Sequence, residues 1–130
     1  GNMSSTNSAN PISCSAGLAV IEEILAKKLT EKSKIKGKIL HKELKNMSKI
    51  KPDLFQVYGK GLIAALIFNK SIPKIEYKLK KLVEYCINDG LLLVYTGRES
   101  IKLGPPLTIS KEAIHTALKI IKKNISLIFL

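Results

Sequence analysis

The sequence predicts an α+β fold: a two-layer sandwich in which a small, mainly antiparallel sheet of about four strands is covered by helices. Three observations carry this reading. Ile75, Leu79, Leu82, Val83, Cys86 and Ile87 recur at helical steps and mark one apolar face of an amphipathic helix. Leu54–Tyr58 and Leu62–Phe68 are apolar runs on either side of Gly59-Lys60-Gly61, the pattern of a hairpin. A second, shorter pair of strand-like runs flanks Gly97 and stops at Pro105-Pro106, because proline has no donor for a ladder. Strands backed on one side by helices give two layers.

The elements follow in order. Asn10-Pro11 opens a helix over about 11–28: Asn accepts from an orphan N–H, and Pro at the first helical position has none to lose. Ile12, Ala16, Ala19, Val20, Ile24 and Leu25 form its expected buried face, beside small residues from Ser13 to Gly17 that permit close backbone approach. Thr30 restarts a helical pattern over about 31–48, with Ile35 or Lys36, Ile39, Leu40, Leu44 and Met47 inward. Lysines lie mostly outward, and Lys51-Pro52 is the stop. Strands are expected over 54–59 and 62–69. The second reads as covered on both faces, because its apolar run is nearly continuous. Pro73 opens a helix to about 89, with Gly90 just past its end. Short strands over 91–95 and 100–104 precede a last helix over 110–126. Ser110 is its N-cap, Ile109 and Ile114 form a hydrophobic staple, and Ile114, Ala117, Leu118, Ile121 and Ile125 face inward.

Composition narrows the function classes. The chain has 130 residues, one domain's worth, and an ordinary apolar fraction of 45%. Residues 4–130 read as a single domain, and Gly1-Asn2 ahead of Met3 reads as a vector scar. No apolar run approaches the ~20 residues of a membrane span, and no leader pattern opens the chain. Two cysteines, Cys14 and Cys86, have no metal-spaced neighbours and read as free, semi-buried thiols of a cytoplasmic protein. The net charge of +12 comes almost wholly from lysine, Arg98 being the one arginine. Nucleic-acid readers lean on arginine forks and aromatic platforms, and this chain is poor in both, so a solvated lysine surface is the favoured reading.

Three stretches carry a resemblance: Thr6 to Val20 with its N-P-x-S-C-x-A-x-L-A-V core, Val57-Tyr-Gly-Lys-Gly-Leu62, and Gly90-Leu-Leu-Leu followed by Ile101-Lys-Leu-Gly-Pro-Pro-Leu-Thr-Ile-Ser110. In order and spacing they resemble the C-terminal part of the class III (ω-amino acid) pyridoxal-phosphate aminotransferases, the group of 4-aminobutyrate, acetylornithine and ornithine aminotransferases. The resemblance runs from Ser5 to Ile125.

It implies the small domain of a fold-type-I enzyme, dimeric as a rule. The large domain of such an enzyme carries the Schiff-base lysine and the aspartate that holds the pyridine nitrogen, both ahead of the motif that starts here. This chain alone is therefore expected to be inactive and to bind no cofactor by itself, and its gene to be split, truncated or deliberately cut. The resemblance gives Thr6 a contact to the cofactor phosphate of a neighbouring subunit, which suits a hydroxyl just before a helix N-terminus. It gives Lys102 the place where many members carry an arginine that binds a substrate carboxylate or pairs with a glutamate gate. Lysine offers a point charge in place of a bidentate fork. Tyr58 departs likewise, standing where arginine usually precedes Gly-x-Gly. Arg98 has no role as a substitute, and His41 and His115 read as solvated. The expected activity is transfer of an amino group from an ω-amino acid, 4-aminobutyrate-like, to a 2-oxo acid, exercised only with the missing part. The alternatives are a non-catalytic oligomeric remnant or, behind it, a basic nucleic-acid-binding domain. Loss of covering domains would expose Leu62–Phe68 and Leu127–Leu130 and favour a homodimer or a companion chain.

Overall fold

The computed structural model describes residues 9–130. Four helices, α1 (Pro11–Ala26), α2 (Leu29–Ile50), α3 (Ile75–Asn88) and α4 (Lys111–Phe129), accompany four strands, β1 (Phe55–Lys60), β2 (Ile63–Phe68), β3 (Val94–Tyr95) and β4 (Ser100–Leu103). The sheet is antiparallel throughout, in the order β1-β2-β4-β3. Helices α2, α3 and α4 cover one face, so the two-layer α+β architecture is the observed one.

The core lies between those helices and the sheet. Leu40 and Leu44 of α2, Leu79, Leu82 and Cys86 of α3, and Ile114, Leu118, Ile121 and Ile125 of α4 meet Leu66, Phe68 and Ile101 from the strands. Phe68 sits between Phe55 and Phe129, with ring centroids 5.3 Å away on each side, within the range where aromatic pairs attract. The faces expected for α3 and α4 are the buried ones, except that Ile87 lies largely exposed.

Ends of elements follow local chemistry. Asn10 caps α1, accepting from Ile12 N at 2.9 Å with Pro11 at the first position. Ser110 caps α4, accepting from Ala113 N at 3.0 Å. Gly90 (φ +88°) closes α3: its N–H donates to Ile87 O and that of Leu91 to Cys86 O, the paired bonds of a Schellman ending. The β1–β2 loop is Gly61-Leu62 between the closing pair Lys60 and Ile63, with Gly61 at φ +58°.

Several expectations need correction. Helix α2 starts at Leu29, two residues early, because Lys28 already turns the chain in a left-handed conformation (φ 48°). Ile35 is exposed, and the inward residue on that stretch is Gly37. Helix α3 starts at Ile75 with no side-chain cap; Pro73 lies before the helix, and Lys74 (φ 55°) makes the turn into it. Strand β3 is two residues long, not five, since the Leu91 N–H is committed to the end of α3. Strand β2 is covered on one face only: Ala64, Leu66 and Phe68 are buried while Ile63 and Ile67 face outward. Helix α1 buries none of its residues; of its expected inner face only Ile24 is even half-buried. Its apolar residues run round the whole circumference, so their spacing did not define one inward face.

Candidate functional site

The uncovered face of the sheet is the place to look, because it brings the sequence-predicted positions together. Pairing puts Tyr58 opposite Ala65, Ala65 opposite Lys102, and Lys102 opposite Val94. Directly paired residues share a face, so Tyr58, Ala65, Lys102 and Val94 form one row across all four strands. With strands about 4.8 Å apart, the backbones of Tyr58 and Lys102 stand roughly 10 Å apart across the small Ala65. Both side chains are exposed, and among the described residues no carboxylate pairs with Lys102. The Tyr58 hydroxyl donates to Gln56 Oε1 at 2.6 Å, along its own strand. The same face carries two flanking rows, Lys60 opposite Ile63 and Gln56 opposite Ile67. It is a mixed surface in which Ile63, Ile67 and Val94 surround Lys102, with the Lys60 ammonium at its edge, able to attract a carboxylate but offering no base or nucleophile in an enclosed setting.

The remaining candidates fall elsewhere. Thr6 lies outside the described residues. Arg98 is exposed on the β3–β4 turn, off the row. His115 is exposed, as its lysine-rich surroundings imply. His41 is not fully solvated: it is half-buried against the hairpin, with Nε2 3.2 Å from Ile63 O. The thiols are not semi-buried either. Cys14 is exposed on α1 and Cys86 is buried in the core. Burial pushes the Cys86 thiol up to about 11, against a smaller downward pull from the Asn124 amide.

Sequence reasoning passed over Asn124, the one buried polar residue of the described core. Its Nδ2 donates to Asp89 Oδ2 at 2.8 Å and to Ile120 O at 3.1 Å, with Cys86 Sγ 3.7 Å away. Lys123 Nζ lies 2.9 Å from both Asp89 oxygens, and these bonds, Lys123 first and Asn124 second, hold the Asp89 carboxyl below its usual range. Only an Asn within an apolar helical stripe signalled this, and every group in the cluster has a partner, so it fastens α3 to α4. No group of His, Cys, Asp and Glu able to hold a metal occurs among the described residues. Nor is any helix there long and apolar enough to cross a membrane.

Comparison with known proteins agrees with the motifs. The family model for aminotransferase class III matches residues 1–125. A probable mitochondrial ornithine aminotransferase of Caenorhabditis elegans is 35% identical over 97% of this chain and 28% of its own length. An acetylornithine aminotransferase of Methanosarcina acetivorans is 32% identical over 95% of this chain and 29% of its own. The crystal structure of acetylornithine aminotransferase from Elizabethkingia anophelis superposes with a TM-score of 0.83 at 31% identity, over 97% of this chain and 31% of that one. The chain thus spans less than a third of the length of these relatives.

Proposed function

This chain belongs to the class III aminotransferases, and from that membership we propose that it is the C-terminal part of a transaminase moving an amino group from an ω-amino acid to a 2-oxo acid. The relatives named above are ornithine and acetylornithine aminotransferases, which favours an ornithine-type donor over 4-aminobutyrate within the same chemical class. The observation that carries the reading is the exposed row with Lys102 at its centre, on the face of the sheet that this chain's own helices leave bare. Lys102 takes the substrate carboxylate there as a point charge, and Tyr58 leaves the row with one cation where the family pattern carries two arginines.

Enzymes of this family use pyridoxal phosphate, which supplies the electron sink. We place its cradle outside the described residues, none of whose lysine side chains is buried, whereas a lysine that reacts as the free amine is usually desolvated or crowded by another cation. We therefore assign no step of the transfer to this chain. The cofactor lysine belongs to the remaining part of the enzyme, on the same polypeptide or on a companion chain. Thr6 would reach the cofactor phosphate of a neighbouring subunit, in a cytoplasmic homodimer.

Incubation of the 130-residue chain with pyridoxal phosphate, borohydride treatment and peptide mapping test this. Modification is expected to be low and scattered over the many exposed lysines. One lysine trapped stoichiometrically would show a complete cofactor site within this chain and overturn the reading.

A further inference from the structure

Helix α2 turns Leu29, Gly37, Leu40 and Leu44 inward. At about 3.6 residues per turn and about 1.5 Å of rise per residue, Lys34, Lys38, Lys42, Lys45 and Lys49 fall on its other side, in a stripe roughly 80° wide and roughly 22 Å long. All five are exposed, and none forms an ion pair among the described residues. Other lysines have partners within the chain: Lys36 donates to Leu107 O at 3.2 Å, Lys51 to Phe129 O at 2.8 Å, and Lys123 to Asp89 Oδ1 at 2.9 Å. Residues three or four apart are neighbours on a helix surface, and here those neighbours repel: Lys34 and Lys38, Lys38 and Lys42, Lys42 and Lys45, Lys45 and Lys49. Glu31, one turn ahead of Lys34, is the only acid of α2 on this side, and Glu43 lies off the stripe, half-buried. The helix thus carries a line of charge that its own sequence does not balance.

The partner that balances it is an extended anion, and the rest of α2 narrows its kind. The helix uses its apolar face on the core and leaves only Ile35 and Ile50 mostly exposed, so it has no broad apolar side with which to enter a bilayer. It has no Phe, Tyr or Trp on which single-stranded bases could stack, and no arginine to read a base edge. These shortages exclude strand stacking and base readout. They do not touch attraction to phosphates, which needs positive charge alone. A nucleic-acid duplex presents one negative charge per about 1.7 Å of axis, so roughly 22 Å of it offers about a dozen phosphates in a fixed array. We propose that the outward stripe of α2 is a docking surface for the phosphate backbone of double-stranded nucleic acid, held without regard to base sequence. Helix α2 packs on one face of the sheet and Lys102 lies on the other, so the proposal is independent of the transaminase reading.

The probe is a fluorescently labelled DNA duplex of about 20 base pairs, titrated with the 130-residue chain and followed by anisotropy at salt concentrations from about 50 to 200 mM. Each phosphate neutralised contributes about 0.9 to the slope of log K against log salt, so five lysines predict a slope near −4.5. A duplex of scrambled sequence should bind with the same affinity within about twofold. The triple variant Lys38→Gln, Lys42→Gln, Lys45→Gln should flatten the slope by about 2.7 and weaken binding at least tenfold at the lowest salt. Glutamine is nearly as good a helix former as lysine, so this variant should keep the wild-type circular dichroism and urea midpoint. Lys80→Gln, Lys119→Gln, Lys122→Gln removes the same charge from exposed positions of α3 and α4, and should leave the slope within about one unit of wild type. No binding at the lowest salt would sink the proposal. Equal losses in the two triple variants would sink it too, by showing that net charge and not the stripe is what DNA meets. Poly-glutamate that displaces the duplex at equal charge concentration would overturn it in favour of an acidic protein partner.

Discussion

At the residue scale the two thiols behave oppositely although both are unpaired. The thiolate is the reactive form, so reactivity tracks exposure and thiol pKa. Cys14 is exposed on α1, while Cys86 is buried with its thiol raised to about 11. Alkylation of the native chain should therefore proceed at one thiol quickly and at the second only on unfolding; mass spectrometry of the iodoacetamide-treated protein reads this directly. Asn124 next to Cys86 is worth more than its size. Asn124→Ala removes the bonds to Ile120 O and Asp89 and leaves a hole in the α3–α4 seam, a loss of about 1–3 kcal/mol in urea unfolding. Asp89 sets a pH dependence. Its folded pKa is depressed, so its contribution is complete above the ordinary aspartate value near 3.9 and disappears as pH falls through the lower folded value. Wild type should lose urea resistance below about pH 4 more steeply than Asp89→Asn, with the two curves converging in acid. The sequence showed that Cys86 belonged to an apolar face. It did not show which polar neighbour would accompany it, because that depends on which turn of α4 meets the end of α3.

At the element scale the hairpin is fastened to α2 through main chain. A Cβ on Gly37 would lie within 2.6 Å of Gly61 Cα and would overlap the Gly61 carbonyl. Alanine in a helix is ordinarily favoured over glycine by about 1 kcal/mol. Here the obstacle is backbone, which no rotamer change can clear, and overpacking costs about 1–3 kcal/mol. A backbone overlap this close belongs in the upper part of that range, about 2–3 kcal/mol, so after the propensity gain Gly37→Ala should lower stability by about 1–2 kcal/mol in urea unfolding. A neutral or stabilising Gly37→Ala would mean that the helix and the turn can separate. Much of this scale could be read in advance. Caps at Asn10 and Ser110, the closure at Gly90 and the apolar faces of α3 and α4 are local signals, and they sit where the residues placed them. What failed was tertiary. Gly37 gave no hint of its partner 24 positions on, and the apolar run of β2 did not say that one of its faces would stay bare.

At the scale of the whole molecule, apolar surface is distributed as in a protein that continues beyond these residues. Leu18, Val20, Ile21 and Leu25 of α1 are each more than half exposed, and Ile63, Ile67 and Val94 line the open sheet face. The same shortage of cover governed what the sequence could reveal about the site. Tyr58 and Lys102 were recognisable one at a time, but their common row follows from strand order and register, which no local pattern encodes. A helix apolar all round is a helix meant to be buried, and in this chain alone the available cover is another copy. Leu18 and Leu25 lie seven residues apart on one side of α1, 58% and 70% exposed. Replacing both with glutamine changes side chains that are mostly exposed, so the stability in urea should stay within about 0.5 kcal/mol of wild type. Burying a leucine contributes about 1.5–3 kcal/mol, so losing two from an interface should weaken association at least tenfold. Sedimentation velocity over a concentration series separates the outcomes. Wild type should associate as concentration rises and the double variant should remain monomeric to concentrations at least tenfold higher. A wild-type chain that stays monomeric at high concentration would show that α1 tolerates water without a partner. A variant that unfolds like a core mutant would show that α1 is held against the rest of this chain after all.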